Sequence, residues 1–121
     1  CPGPCPIMSS QMARLSEKFS AVDDVHFVGF SVDPDTDTVE RLAEYAARYG
    51  ADTTRWHFLR GPIEEIQALS EQGFKLGSVD TPSQHSTRFV LVDRKGMTRG
   101  YWEGMEPEEV DQLAEAIDRL L

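Results

Sequence analysis

The chain has 121 residues, 40% of them hydrophobic and 27% charged, which fits one globular domain. Asp and Glu number 21 against 12 Lys and Arg, and the resulting net charge of −9 argues against binding to nucleic acid or to an anionic membrane. The sequence has two cysteines, at positions 1 and 5, and these lie too close together to stabilise a fold by closing a large loop.

The first third of the chain predicts a helix followed by a strand. Ser9 or Ser10 is a suitable N-cap for a helix whose apolar residues recur three or four positions apart. The segment 25–32, VHFVGFSV, is apolar on both faces and predicts a strand that is buried from both sides. The helical stripe consists of Met12, Leu15, Phe19 and Val22.

The middle of the chain continues this alternation. Asp37 and Glu40 have the spacing of a capping pair, and Gly50 is placed to end the helix that follows them. Residues 55–59 are a short strand candidate, and residues 62–73 predict another helix with a proline in its first turn.

The last third predicts a loop, a hairpin and a final helix. The apolar residues of the segment 75–86 recur at no regular interval, which predicts a loop. Residues 87–102 predict two strands around a turn at 93–96, and an apolar stripe predicts a helix from residue 106 onward. The order of elements indicates an α/β sandwich that forms a single domain over residues 1–121.

The two thiols are the most informative chemical feature. Cys1 and Cys5 are four residues apart, so both sulfurs face one side if Cys5 begins a helix, and Pro6 suits a first helical turn. A helix N-terminus favours the thiolate, which exchanges disulfides or binds soft metals. Burial of both cysteines as small hydrophobic residues is the alternative.

Three histidines could complete a soft metal site. His26 and His57 fall in predicted strands, and we expect both to be packed, hydrogen-bonded side chains rather than ligands. His85 lies in the aperiodic loop before the hairpin, where functional side chains concentrate. These residues leave two functions open, a copper site and metal-independent disulfide exchange.

Three segments together resemble the Sco/SenC family of copper-binding proteins. These are CPGPCP, FSVDPDTDT and HSTRFVLVDRKG, which occur in the family's order and span nearly the whole chain. The resemblance implies a thioredoxin-like three-layer sandwich with a mixed central sheet flanked by helices. In that fold a core strand precedes the first cysteine. We therefore expect that the chain lacks its first core strand and is truncated at its N-terminus.

The resemblance also implies the site and its function. Cys1, Cys5 and His85 match the family's ligands for one copper ion, as Cu(I) or Cu(II). Asp33 and Asp37 match the acidic stretch, to which we assign a structural role. The implied role is that of a chaperone rather than an enzyme, with thiol–disulfide oxidoreductase or redox sensor as the alternative.

The family's partners and location follow from the same resemblance. The implied partners are the copper-site subunit of cytochrome c oxidase and other copper chaperones or thiol reductants. The implied location is the periplasmic side of a bacterial inner membrane, through an anchor upstream of this chain, or the mitochondrial intermembrane space. Gln84 departs from the pattern, because the residue before the histidine is often acidic in the family.

Overall fold

The computed structural model describes residues 4–31, 35, 37–51, 54–76 and 87–121. In this part of the chain, helices and strands follow one another in the predicted order. They are α1 (Pro4–Lys18), β1 (Phe27–Phe30), α2 (Val39–Arg48), β2 (Trp56–Leu59), α3 (Ile63–Ala68), a π-helical segment (Leu69–Gly73), β3 (Arg88–Val92), β4 (Thr98–Glu103) and α4 (Pro107–Leu120).

The four strands form two two-stranded sheets. β1 pairs with β2 in parallel, and β3 pairs with β4 antiparallel. Within the described ranges, β1 and β3 each have a single partner, and no strand joins the two sheets.

One apolar core lies under both sheets. Its buried members come from α1, the segment before β1, both parallel strands and α4, and side chains of β3 and β4 pack against it. The core therefore contacts both sheets, although no backbone ladder among the described residues connects them. The buried set is Leu15, Phe19, Val25, Phe27, Trp56, Val110, Leu113, Ala114 and Ile117.

The opposite face of the parallel pair is only partly covered. Phe27 is buried, but Val28 is 43% exposed and Phe30 38% exposed. The prediction of a strand buried from both sides is therefore wrong, because the apolar run does not reveal how much of each face is covered. The Phe30 ring lies 6.1 Å from that of Phe74, and the Tyr101 hydroxyl donates to the Phe74 carbonyl oxygen at 2.7 Å. The segment that follows α3 thus covers part of this face.

Helix α1 begins beside Cys5, which matches the helix start considered for the cysteine motif and not the cap expected at Ser9 or Ser10. It starts at Pro4, so Pro4 and Pro6 lie in its first turn, where a missing N–H removes no helical hydrogen bond. Ser9 and Ser10 are therefore both inside the helix, and neither caps it. The Ser9 Oγ lies 2.5 Å from the Tyr45 hydroxyl oxygen, which links α1 to α2.

Helix α2 is capped by Thr38, one residue after the predicted cap. The Thr38 Oγ1 accepts a hydrogen bond from the Arg41 N–H at 3.2 Å. Asp37 instead accepts a hydrogen bond of 2.7 Å from the Ser31 hydroxyl, which ties the start of α2 to the end of β1. Gly50 has a φ of 65° directly after the Tyr49 C-cap, and this confirms the predicted end of the helix.

The hairpin and the last helix match the sequence expectations closely. The Asp93 Oδ1 accepts from the backbone N–H groups of Lys95 and Met97, at 2.9 and 3.0 Å, and Gly96 takes a φ of 79°. Pro107 is the first residue of α4, the position that proline favours.

Candidate metal centre

Only one of the three predicted copper ligands lies among the described residues. Cys5 lies in the first turn of α1. Cys1 and His85 lie outside the described residues, as do Asp33 and Gln84. Within the described ranges, no group of three or more His, Cys, Asp or Glu residues is arranged to hold a metal ion.

Gly104 is the point where α1 meets the chain that follows the predicted loop containing His85. Its N–H donates to the Thr87 carbonyl oxygen at 2.8 Å. A β-carbon built at Gly104 would lie 2.9 Å from that oxygen, 3.1 Å from the Phe89 Cζ and 3.2 Å from the Met8 Cε. Glycine is required here because a larger residue has no room between α1 and the start of β3.

This junction lies a short distance along the chain from two predicted ligands. Met8 follows Cys5 by three residues, which is about 4.5 Å of rise along a helix. Thr87 follows His85 by two residues, which span at most about 7 Å. The packing is compatible with a sulfur of α1 and the His85 imidazole sharing an ion, and the ligand set stays a prediction.

Side-chain hydrogen bonds also hold Thr87 at this junction, through Glu103 at the end of β4. The Thr87 hydroxyl donates to the Glu103 Oε2 at 3.0 Å, and the Glu103 Oε1 accepts from the Met105 N–H at 3.1 Å. The Glu109 Oε1 accepts from the Glu103 N–H at 3.4 Å. Glu103 thus holds the first residue after the His85 loop against the turn that leads into α4.

The electrostatics of the α1 N-terminus favour a negatively charged group. The helix is 15 residues long and has no acidic residue in its first turn, so no neighbouring carboxylate on that turn opposes a thiolate at Cys5. The unpaired N–H groups of a first helical turn carry a partial positive charge, which stabilises an anion placed beside them.

Sequence reasoning missed Gly104, Thr87 and Glu103. A glycine after a strand and before a proline-started helix indicates a turn, and the sequence does not show that a distant helix packs on it. The pairing of Thr87 with Glu103 follows from the register of the antiparallel sheet, in which Arg88 lies opposite Glu103.

The sequence model of the SCO1/SenC family matches residues 1–121, which is the whole chain. The chain belongs to the SCO1/SenC family. A curated relative, the SCO1 protein homolog of Bacillus subtilis (strain 168), is 32% identical over 120 residues. That match covers 93% of this chain and 62% of the relative, so this SCO1/SenC chain spans less than two thirds of the relative's length.

Solved structures agree with the family and the fold. A SCO1/SenC family lipoprotein from Bacillus anthracis str. Ames is 32% identical, with a TM-score of 0.88 over 99% of this chain and 74% of that protein. BsSco, a cytochrome c oxidase assembly protein with a disulfide switch, is 29% identical, with a TM-score of 0.81 over 93% of this chain and 69% of its own. The predicted thioredoxin-like α/β fold is therefore confirmed.

In the ranges that the structure covers, no helix is both long enough and apolar enough to span a bilayer.

Proposed function

We propose that this chain binds one copper ion through Cys1, Cys5 and His85 and assists assembly of the binuclear copper site of cytochrome c oxidase. It does so by delivering copper, by reducing the cysteines of that site, or by both. The observation that most supports this proposal is the Gly104 junction in a chain that matches the SCO1/SenC model throughout.

The donor set suits copper. Two thiolates and one imidazole are soft or borderline ligands, and Cu(I) accepts two or three of them, whereas a structural zinc site takes four. The position of Cys5 in the first turn of α1 supports deprotonation, because the helix dipole favours its anionic form. Three ligands leave one position for an incoming donor, so the copper cargo is able to pass to a partner by ligand exchange.

The redox state of the cysteines regulates this binding in the proposal. A disulfide between Cys1 and Cys5 removes both anionic ligands and releases the ion. In the reducing role, the two thiols become one disulfide while a partner disulfide becomes two thiols, so two electrons and two protons pass to the partner. The disulfide switch described for BsSco supports this part of the proposal.

The partners and the location belong to the same proposal. We place the chain on the periplasmic side of a bacterial inner membrane, through an anchor outside residues 1–121, with the copper-site subunit of the oxidase and thiol reductants as partners. The lipoprotein description of the Bacillus anthracis relative supports this location.

We also propose that residues 1–121 form a single domain whose sheet is completed by a further strand between β1 and β3, each of which has a single described partner.

A titration of the reduced protein with Cu(I) under anaerobic conditions tests the copper site. We expect one equivalent to bind tightly, binding to be lost in Cys5→Ser, and affinity to fall in His85→Ala. Met97→Ala is the matched control, because Met97 is a soft donor that is 61% exposed at the hairpin turn, at the other end of β4 from Gly104. It should bind copper as the parent does.

The copper proposal and the metal-independent alternative lead to different results for the oxidised and the reduced protein. If the protein with a Cys1–Cys5 disulfide binds Cu(I) as tightly as the reduced protein, the thiolate site does not exist. If the reduced protein binds no copper but turns over a generic disulfide substrate at thioredoxin-like rates, the chain is a metal-independent thiol–disulfide oxidoreductase.

A further inference from the structure

Two histidines stand side by side on the open face of the parallel sheet. His57 lies opposite Val28 in the register of β1 and β2, and His26 precedes Val28 by two residues, so both imidazoles project from the same face. Their ring centroids are 6.4 Å apart and their planes differ by 12°. Both residues are exposed, so the expectation that they are packed in the interior is wrong.

We propose that His26 and His57 form a second metal site, which binds a divalent ion of the borderline class and prefers Cu²⁺. This site shares no ligand with the proposed Cys1, Cys5 and His85 centre. Imidazole nitrogen is the ligand that Zn²⁺, Ni²⁺ and Cu²⁺ accept readily, and Cu²⁺ has the highest affinity in this series.

The separation of the rings is close to that of two imidazoles bound to one ion. With a metal–nitrogen bond of about 2.0–2.1 Å, an ion lies roughly 3 Å from the centroid of each imidazole that binds it. Two rings on one ion therefore have centroids about 5–6 Å apart, depending on the angle at the metal. The observed 6.4 Å is slightly longer, and the two rings are nearly parallel, so binding requires the exposed side chains to rotate until one nitrogen of each ring points at the shared ion.

The backbone around the pair is fixed, whereas the rings are free to turn. Hydrogen bonds tie the ladder at both ends, from the Phe27 N–H to the Arg55 carbonyl oxygen at 2.7 Å and from the Ser31 N–H to the Leu59 carbonyl oxygen at 2.8 Å. Among the described residues, neither ring makes a hydrogen bond or an ion pair. The sheet thus presets the spacing, and no competing interaction has to be broken when a metal binds.

The surroundings of the two histidines favour the binding of a cation, with modest affinity. The net charge of −9 attracts cations toward the whole surface. Because two protein ligands leave the other coordination positions to water, this site should bind more weakly than a site with three or four protein ligands. An exposed site of this kind exchanges its ion quickly.

The test uses a Cys1→Ser/Cys5→Ser variant, so that its outcome does not depend on the proposed thiolate site. We expect this variant to bind one equivalent of Cu²⁺ at neutral pH, with electron paramagnetic resonance splitting from two nitrogen ligands. Adding His26→Gln or His57→Gln should weaken Cu²⁺ binding roughly tenfold or more, since each removes one of two protein ligands. Adding His85→Gln should leave the affinity within about twofold of the parent, because that residue is not a ligand of this site.

A second measurement excludes a purely structural effect of the substitutions. Zn²⁺ should raise the thermal unfolding midpoint of the double-serine variant, because an ion that binds only the folded chain stabilises it. The rise should vanish in His57→Gln, whose midpoint without metal should match the parent's. Unchanged Cu²⁺ affinity in both His26→Gln and His57→Gln, or loss of binding in His85→Gln alone, would overturn the proposal.

Discussion

The Arg55 guanidinium donates a hydrogen bond of 2.8 Å to the carbonyl oxygen of Phe19, just beyond the end of α1. The same buried group reaches the carbonyl oxygens of Ser16 and Val22, at 3.3 and 3.2 Å. A side chain that precedes β2 therefore binds one carbonyl in the last turn of α1, that of Ser16, and two carbonyls in the turn that follows the helix.

Arg55→Met should be strongly destabilising. It keeps much of the apolar stem but leaves several buried carbonyl groups without this donor, and we expect a loss of about 2–4 kcal/mol in the free energy of unfolding. Urea denaturation measures the change. Arg41→Met is the control, because Arg41 is exposed on α2, and it should shift stability by less than about 0.5 kcal/mol. Equal effects of the two substitutions would contradict the proposed role of Arg55.

Gly104→Ala should disturb both stability and copper binding. Its new methyl group would meet the Thr87 backbone at 2.9 Å, so the start of β3 or the first turns of α1 must move, at a cost of about 1–3 kcal/mol. We expect Cu(I) affinity to fall as well, since both movements reach predicted ligands. The comparison is Gly61→Ala, whose β-carbon would meet only the Glu65 Oε2 at 3.9 Å and should have little effect on either measurement.

Val110→Ala should test the core at its most buried point. Val110 is 0% exposed on α4 and belongs to the cluster that both sheets share. Loss of two buried methyl groups and the remaining cavity should cost about 2–3 kcal/mol, measured by chemical denaturation. Val39→Ala makes the same change at a site that is 66% exposed, and it should alter stability by no more than about 0.5 kcal/mol.

Asp93 should make the hairpin sensitive to acid. The hydrogen bond from the Met97 N–H, together with those from Lys95 and Arg99, lowers the pKa of the Asp93 carboxyl below its ordinary value. A lowered pKa in the folded state contributes stability that is present above the unfolded pKa and is lost as pH falls through the folded value.

Unfolding measurements on the parent and Asp93→Asn between pH 6 and pH 2 test this contribution. The parent should be the more stable protein near pH 6, and the difference should shrink once pH falls below the unfolded pKa of about 3.9. A difference that stays constant across the whole range would show that the carboxylate charge is not responsible.

Local sequence signals predicted the hairpin turn and the last helix correctly. Pro107 at the first position of α4 and Gly96 at positive φ act through their own backbone preferences, which the sequence states directly. The helix periods and the apolar stripe of α4 are equally local. The thioredoxin-like fold followed from motifs whose order is visible without a structure.

The missed features depend on contacts between distant segments. A serine is a good cap in isolation, so the sequence predicts a cap at Ser9 or Ser10 as well as a helix start at Cys5, and local preference alone does not decide between them. The exposure of His26 and His57 depends on what covers the second face of the sheet. The roles of Arg55 and Gly104 depend on the end of α1 and on Met8, respectively, which lie 30 or more residues away in sequence.

The Gly104 junction has a consequence for biosynthesis. It joins side chains or backbone of Met8, Thr87 and Gly104, so in a nascent chain that has emerged only as far as residue 90 the first turns of α1 lack their contact with Gly104. Cys5 is thus synthesised well before Gly104, the residue that completes the packing of the helix that carries it. Until Gly104 has emerged, this thiol is held by an incompletely packed helix and is open to any oxidant that meets the growing polypeptide.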